Sequence, residues 1–249
     1  PDKEKPSVLV LGMGTGTWAM MVRDYFPECE ITGVEIDEDI TELAHRYFEL
    51  DEDIPVYTYD GRAFLQAMDE KYDCIMVDAY RDITIPFSMS SVEFFTLVRD
   101  HLNPGGVMVV NMNMHSDEEG GINQQLSDTI ASVFDCVMTA DVPGSTNREL
   151  FAGGAGVTGE AFAEALAGYE KTLPEEGETA SQEQLLAYSL WRVSDRLQPY
   201  QSSGYLLTDD KAPVELLGMQ VIDALIRDEI GYYKDVFQRD GLEGLLDAM

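Results

Sequence analysis

Apolar runs and helical patterns alternate along the first half of the chain. Residues 8–11 form an uninterrupted apolar run, which predicts a buried strand. A glycine-rich turn follows, and residues 18–26 have a helical pattern with Thr17 as the expected N-cap. A second apolar run, residues 31–35, ends in an acid. Strand, glycine turn, helix and strand in this order predict the nucleoside-binding half of a doubly wound α/β domain.

The alternation continues beyond these elements and predicts a mostly parallel sheet with helices on both faces. Helices are expected over 39–50, 63–68, from Ser90 or Ser91 to 102, and over 120–133, and strands over 55–59, 72–78, 107–112, 134–140 and 148–152. The last two strands are joined through Pro143-Gly144, which predicts an antiparallel hairpin. Seven strands in this arrangement are expected.

The last part of the chain has helical patterns only. Residues 161–169, 214–227 and 229–238 are expected to be helices. A further helix over 184–197 has an apolar stripe that predicts a core-facing surface, made of Leu185, Leu186, Leu190, Val193 and Leu197. We expect a single domain over residues 1–249, with residues 171–249 as a helical C-terminal extension packed on it.

The spacing of the glycines distinguishes between ligand classes. Gly12, Gly14 and Gly16 form G-x-G-x-G, whereas dinucleotide sites favour G-x-G-x-x-G. With Glu35 at the end of the next strand, the spacing is typical of class I S-adenosylmethionine (SAM) proteins and of their Rossmann-like SAM-transferase fold. A dinucleotide site and a glycine turn without a ligand are the alternatives.

Acids recur where the predicted strands end. Glu35, Asp60 and Asp78 each follow an apolar strand, and ligands of open α/β sheets lie over the carboxyl ends of the strands. Glu35 is expected to accept hydrogen bonds from ribose hydroxyls and Asp60 from an adenine amino group, although Asp60 could instead only cap the helix that follows it. His115 lies near the same edge and is either a base or a solvated loop residue.

The charge of the chain restricts its partners. Asp and Glu number 47 against 16 Lys and Arg, a net charge of −31. Such a surface repels phosphate backbones, so nucleic acid is not an expected partner, whereas cationic substrates are attracted. Solubility or adaptation to salt is the alternative explanation. Three cysteines without metal spacing and no apolar run of membrane-spanning length predict a cytoplasmic protein with no metal and no membrane segment in this chain.

Several motifs together resemble the spermidine synthase superfamily, and in particular its bacterial spermidine-synthase-like domains. They are LGMGTGT, GVEID, YDGRAFL, YDCIMVDAYRDITIPFSMSSVEFF, LNPGGVMVVN and LLTDDKAPVE. The resemblance implies aminopropyl transfer, in which a polyamine nitrogen attacks the carbon beside the sulfonium of decarboxylated SAM and methylthioadenosine leaves. The co-substrate would then be SAM or decarboxylated SAM, and the partner a cationic amine; a homodimer is also compatible with the resemblance.

The resemblance, together with the pattern at the strand ends, gives a set of candidate site residues. Those for the nucleoside are Gly12, Gly14, Gly16, Glu35, Ile36, Asp60, Gly61, Asp78 and Ala79. Those for catalysis are Asp78, Tyr80 and Asp82. Those for the amine substrate are Tyr80, Asp82, Asp209 and Asp210.

Two positions depart from the pattern of spermidine synthases. Thr15 stands where the family has an acid in the glycine loop, and Arg81 stands where it has a second acid after the fourth strand. Three hypotheses therefore stay open at this point. They are an aminopropyltransferase, a SAM-dependent methyltransferase acting on a small molecule, and a non-catalytic module that binds nucleosides or polyamines.

Overall fold

A computed structural model describes residues 5–80, 85–113, 118–173 and 181–247. Its centre is a sheet in the order β3-β2-β1-β4-β5-β7-β6-β8. The strands are β1 Ser7–Leu11, β2 Glu30–Glu35, β3 Val56–Thr58, β4 Tyr72–Val77, β5 Leu102–Met112, β6 Cys136–Asp141, β7 Arg148–Gly153 and β8 Gln198–Pro199.

The pairing of the strands confirms the predicted fold class. β1 to β5 pair in parallel, while β7 runs antiparallel to both β5 and β6. The sheet has eight strands within the described residues, one more than the seven expected. The additional strand, β8, has two residues and pairs with the edge of β6, and so short a segment carries no alternation that a sequence pattern can reveal.

Helices cover both faces of the sheet. They are α1 Thr17–Tyr25, α2 Glu38–Tyr47, α3 Gly61–Ala67, α4 Val92–Asp100, α5 Ile122–Ala131, α6 Gly159–Glu170, α7 Gln182–Ser194 and α8 Val214–Asp247. The side chains alternate along each strand, so each face has its own core. The larger core includes Val77, Val110 and Leu150, and the smaller one includes Val10 and Met76.

Three local predictions are wrong. The N-cap of α1 is Gly16 and not Thr17, because Gly16 adopts the left-handed conformation at φ 76° that the tight turn requires. The stripe on 184–197 does not face the core of the sheet: α7 packs mainly against α6, none of the five residues belongs to either core, and Leu185 is 53% exposed while the other four are half-buried. The two helices expected over 214–238 are one helix, α8, whose backbone departs from helical geometry at Gly241.

Side-chain hydrogen bonds tie the segment before α8 to the domain. Asp128 of α5 is fully buried, and its carboxylate accepts hydrogen bonds from the Tyr200 hydroxyl at 2.7 Å and from the Ser203 and Tyr205 amides at 2.9 Å each. A buried carboxylate with three donors fixes the path of the chain, which brings the start of α8 to the sheet. None of the helices within the described residues is both long enough and apolar enough to span a bilayer.

Candidate active site

A cavity of about 1150 Å³ opens at the carboxyl ends of β1, β2 and β4. This is the edge at which open α/β sheets bind ligands. The residues that line it are Gly12, Gly14, Val34, Glu35, Ile36, Ile40, Tyr59, Asp60, Gly61, Asp78, Ala79, Tyr80, Pro86, Phe87, Ser88, Met89, Glu215, Met219 and Ile222. The structure therefore brings the predicted glycine turn and the acids of three strand ends to one cavity.

Two glycines of the turn have different surroundings. Gly12 has φ 87°, and a Cβ atom there would lie 2.5 Å from the backbone oxygen of Asp78. Gly14 has φ 54°, and a Cβ atom there would meet nothing within 4 Å. Gly12 is thus required by the packing of the turn against the end of β4, whereas the space beside Gly14 belongs to the cavity.

Glu35 is held by backbone amides at the end of β2. Its carboxylate accepts hydrogen bonds from the N–H groups of Gly14 and Ile36 at 2.9 Å each and of Asp37 at 3.2 Å. The residue is 7% exposed. These bonds join the glycine turn to the start of α2 and fix the carboxylate in the cavity wall. Oε1 accepts two of them and Oε2 one, so Oε2 keeps an acceptor site that a hydroxyl of a ligand could use.

The position of Asp60 is compatible with both roles considered for it, as the N-cap of α3 and as a ligand-binding residue. Its Oδ1 accepts a hydrogen bond from the Ala63 amide at 2.8 Å, which makes it the N-cap of α3. Asp60 also lines the cavity beside Gly61. Because the capping bond is made by one carboxylate oxygen, the other can accept from a ligand. Its role toward a nucleoside stays a prediction.

Asp78 follows the last residue of β4 and lines the cavity. Its Oδ1 accepts a hydrogen bond from the Asn111 amide at 3.0 Å, and burial raises the pKa of the Asp78 carboxyl above its ordinary value. Tyr80 lies next to it: the Tyr80 hydroxyl donates to the Asn111 carbonyl oxygen and accepts from the Asn113 amide at 2.9 Å. Asp78 is therefore a partly desolvated carboxylate between fixed polar groups.

A second carboxyl with a raised pKa stands near Asp78. Burial, followed by the charge of Asp78, raises the pKa of Glu149 on β7 to about 7. The prediction from strand ends missed Glu149, because β7 is antiparallel and brings the beginning of the strand to this edge of the sheet. Burial also raises the pKa of the Tyr80 hydroxyl, and Asp78 and Glu149 both add to that shift.

Other predicted site residues do not line this cavity. Asp209 forms a two-pronged ion pair with Arg62, at 2.7 and 2.6 Å, and accepts from the Ser91 hydroxyl at 2.6 Å. Arg62 lowers the pKa of Asp209, whose side chain is 40% exposed. Asp210 and Gly16 are likewise absent from the lining. Asp209 thus links the segment before α8 to α3 and α4.

Three positions that the sequence analysis discussed lie outside the described residues, namely Arg81, Asp82 and His115.

The apolar wall of the cavity comes from two segments that the sequence analysis did not assign to a site. Phe87 and Met89 belong to a short 3₁₀ turn, Phe87–Met89, after β4. Met219 and Ile222 lie on α8 and close the cavity from the other side. In the sequence, Met219 and Ile222 belong to the apolar pattern of a predicted helix, and that pattern fits a buried helix face equally well.

The sheet order, with helices on both faces and the glycine turn after β1, defines the class of the protein as an α/β domain with the class I SAM-transferase fold. Residues 2–147 match the family described as the Spermine/spermidine synthase domain, and the chain belongs to that family.

Individual relatives agree with this assignment. A protein of Bifidobacterium longum described as a probable polyamine aminopropyl transferase is 54% identical over 98% of this chain. The match covers 56% of that relative, so this chain spans little more than half of its length.

Solved structures of low sequence identity share the fold. A probable spermidine synthase from Corynebacterium glutamicum has a TM-score of 0.57 at 21% identity, covering 80% of this chain and 68% of that one. Human methyltransferase-like protein 13, in complex with SAH, has a TM-score of 0.56 at 23% identity, covering 80% of this chain and 86% of that one.

Proposed function

We propose that the chain binds decarboxylated SAM in the cavity and transfers its aminopropyl group to a polyamine. The observation that carries the proposal is the position of Asp78, a partly desolvated carboxylate on the same cavity wall as the glycine turn and Glu35. Membership of the spermine/spermidine synthase family and the aminopropyl transferase name of the 54% identical relative support the choice of reaction.

The nucleoside part of the donor would lie along the glycine turn. Glu35 would accept from a ribose hydroxyl through the acceptor site left on Oε2, and Asp60 from the adenine amino group, since both carboxylates stand in the cavity wall. Ile36 and Ala79 add apolar surface to the same wall. The sulfonium and its propylamine arm would then point toward Asp78, the next acid along the sheet edge.

The transfer step requires one carboxylate near the attacking nitrogen to accept its proton. The amine lone pair forms a bond to the carbon beside sulfur, the C–S bond breaks with its electron pair going to sulfur, and methylthioadenosine leaves. The proton lost by the nitrogen goes to Asp78 and then to solvent. Because burial raises the pKa of Asp78, it is a better proton acceptor than an exposed aspartate. Tyr80, fixed by Asn111 and Asn113, would shape the amine site.

A methyl transfer would use the same nucleoside site with SAM as the donor. It needs little acid–base help once donor and acceptor are aligned, so it gives no role to a desolvated Asp78. Thr15 would tolerate the carboxylate of SAM, and this position is the observation that keeps methyl transfer as the second candidate. The non-catalytic module is not favoured, because the family and the named relative are synthases and transferases.

The test compares the two donors with the same amines. The purified chain is incubated with decarboxylated SAM or with SAM, together with putrescine or spermidine, and the products are identified by mass spectrometry. We expect methylthioadenosine and the extended polyamine from decarboxylated SAM, with S-adenosylhomocysteine absent from the SAM reaction. Asp78→Asn should lower the transfer rate about 100-fold or more while the nucleoside still binds. Methylated product from SAM alone would overturn the proposal.

A further inference from the structure

One arginine behind the cavity wall contacts segments from distant parts of the chain. Arg62 lies on α3, directly after Asp60 and Gly61. Its Nη1 donates to the Ser88 carbonyl oxygen at 3.0 Å and to Asp209 Oδ1 at 2.7 Å, and its Nη2 donates to Asp209 Oδ2 at 2.6 Å. Asp60, Gly61 and Ser88 line the cavity, whereas Arg62 does not. The guanidinium therefore joins α3 to two other segments without facing the ligand site.

The first of these segments is the turn Phe87–Met89. A hydrogen bond from the Met89 amide to the Pro86 carbonyl oxygen, at 2.9 Å, fixes the shape of the turn but not its place relative to α3. The Met89 side chain packs at the start of α3, since its terminal methyl group lies 3.3 Å from where a Cβ atom of Gly61 would be. The bond from Arg62 to the middle residue of the turn adds a polar contact to this apolar one.

The turn presents an aromatic ring to the cavity. Phe87 lines the cavity and is 52% exposed. A large apolar side chain that is half open to a cavity offers a surface on which the flat base of a nucleoside can stack. Where this ring stands relative to Asp60 and Gly61 depends on the place of the turn, and hence on Arg62.

The second segment leads into α8 and is fixed through Asp209. The Ser91 hydroxyl donates to Asp209 Oδ1 at 2.6 Å, and the Asp209 amide donates to the Glu93 carboxylate at 3.1 Å. The first turn of α4 thus holds Asp209 from two sides, and Arg62 joins it to α3 as well. Because α8 begins at Val214, shortly after Asp209, these contacts set where α8 meets the cavity.

We infer that Arg62 is a positioning residue for the nucleoside, because its guanidinium holds the Phe87–Met89 turn and the start of α8 where they form the apolar wall of the cavity. The inference rests on the proposed nucleoside site and goes beyond it, since it assigns a role to a residue outside the lining. A planar guanidinium can bond a carbonyl oxygen and both oxygens of a carboxylate together, which the ammonium of a lysine does not reproduce. Without Arg62, the turn and α8 keep their own anchors but lose the group that joins them.

The experiment measures the affinity for methylthioadenosine by calorimetry. The variants are Arg62→Met, which keeps an apolar side chain and removes the donors, and Arg62→Lys, which keeps the charge. Each is made in the wild type and in a Phe87→Ala background, so that the coupling between Arg62 and the ring is measured directly. Arg99→Met is the matched control, because Arg99 pairs with Asp100 at the surface of α4.

We expect Arg62→Met to weaken methylthioadenosine binding about tenfold or more, and Arg62→Lys by about threefold. In the Phe87→Ala background, the further loss from either variant should shrink to about twofold or less, because the wall that Arg62 positions no longer carries the ring. KM for putrescine at saturating donor should stay within about twofold of wild type, since the amine side does not depend on this wall. Tm should fall by only about 2–4 °C, as for the loss of one partly exposed ion pair, and Arg99→Met should bind as wild type.

Two results would overturn the inference alone. One is an Arg62→Met variant that binds methylthioadenosine as tightly as wild type. The other is a loss that is equal with and without the Phe87 ring, because a merely structural role of Arg62 lowers Tm without depending on that ring. If Arg62→Met does not fold, the same comparison is made with Arg62→Lys. A wild type that does not bind methylthioadenosine would instead overturn the proposed function.

Discussion

The carboxylates on the two sides of the cavity differ in how many hydrogen-bond donors the protein gives them. On the nucleoside side, Glu35 is surrounded by donors, with three backbone amides within 3.2 Å. On the side of the proposed amine site, Asp78 has a hydrogen bond to one oxygen; near it Glu149, which is not among the residues that line the cavity, has an oxygen with no partner among the described residues. The Glu35 carboxylate already has hydrogen-bond donors from the protein, whereas Asp78 has one such donor.

This difference indicates how each side would recognise its ligand. A carboxylate fixed by amides selects for geometry, because its remaining acceptor site points in a set direction. A partly desolvated carboxylate selects for charge, because a cation offsets the cost of its burial. We therefore expect changes on the nucleoside side to act on shape and affinity, and changes on the amine side to act on charge and pH dependence.

The largest effect is expected from alanine at the glycine turn. Gly12→Ala should destabilise the protein by about 2–4 kcal/mol, because its Cβ would overlap the Asp78 backbone in a left-handed conformation. Gly14→Ala is the matched variant: it has open space around the Cβ, so the loss should be about 1–2 kcal/mol from the positive φ alone. Urea unfolding measures both. Equal losses of stability would show that the two glycines do not differ as described.

Glu35→Ala tests the nucleoside side directly. A charge-assisted hydrogen bond contributes about 1.5–3 kcal/mol, so the affinity for methylthioadenosine should fall tenfold or more. The amides of Gly14 and Ile36 lose their acceptor as well, which should loosen the turn. Calorimetric titration measures the affinity, and circular dichroism checks that the fold is intact. Unchanged affinity in a folded variant would rule out the ribose role of Glu35.

Glu149→Gln tests the buried carboxyl near Asp78 through the pH dependence of stability. The folded-state pKa of Glu149 is raised to about 7 from an ordinary 4.5, so the folded state holds an extra proton between these values. The stability contributed by Glu149 is therefore present below about pH 4.5 and is lost as pH rises through 7. At pH 8 the variant should be more stable than wild type by about 1–2 kcal/mol, a figure reduced for solvent screening.

The pH series supplies its own control. At pH 4.5 the glutamate is protonated in the folded state and close to half protonated in the unfolded state, so the two proteins should differ little. Urea unfolding at pH 4.5, 6 and 8 gives the three differences. A difference that does not grow with pH would contradict the buried, repelled carboxylate near Asp78.

The smallest effect is expected from Asp209→Asn, because Asp209 belongs to neither side of the cavity. The variant weakens the ion pair with Arg62, whose partner carboxylate is 40% exposed, so the loss of stability should be about 1 kcal/mol or less. KM for putrescine and spermidine should stay within twofold of wild type. A tenfold rise in KM with unchanged nucleoside affinity would place Asp209 in the amine site after all.

The sequence predicted the parallel half of the sheet well, because each strand there is an apolar run that ends in a turn or an acid. Glu35, Asp60 and Asp78 were found by that rule. The rule that acids follow apolar strands did not identify Glu149, because β7 is antiparallel. The residues of β7 at the cavity edge of the sheet therefore come before the apolar run that identifies the strand. No local pattern distinguishes such a glutamate from a solvated one.

The helical part of the chain was harder to predict, because helix faces depend on distant partners. The stripe on α7 is apolar but packs mainly on α6, and the position of α8 depends on the hydrogen bonds that Asp128 makes with the preceding segment. The ion pair of Asp209 with Arg62 joins residues 147 positions apart. Long-range pairing of this kind leaves no periodic trace in the sequence.

The contribution of α8 to the cavity limits how the chain can be shortened. Glu215, Met219 and Ile222 come about 70 positions or more after residue 147, where the family match ends, yet they line the cavity. A fragment cut at residue 147 would keep Gly12, Glu35 and Asp78 but would leave the cavity open to water where α8 lines it. The binding pocket is therefore a property of the chain from its first strand to its last helix, and protection of α8 from proteolysis by a bound nucleoside would report that it has closed.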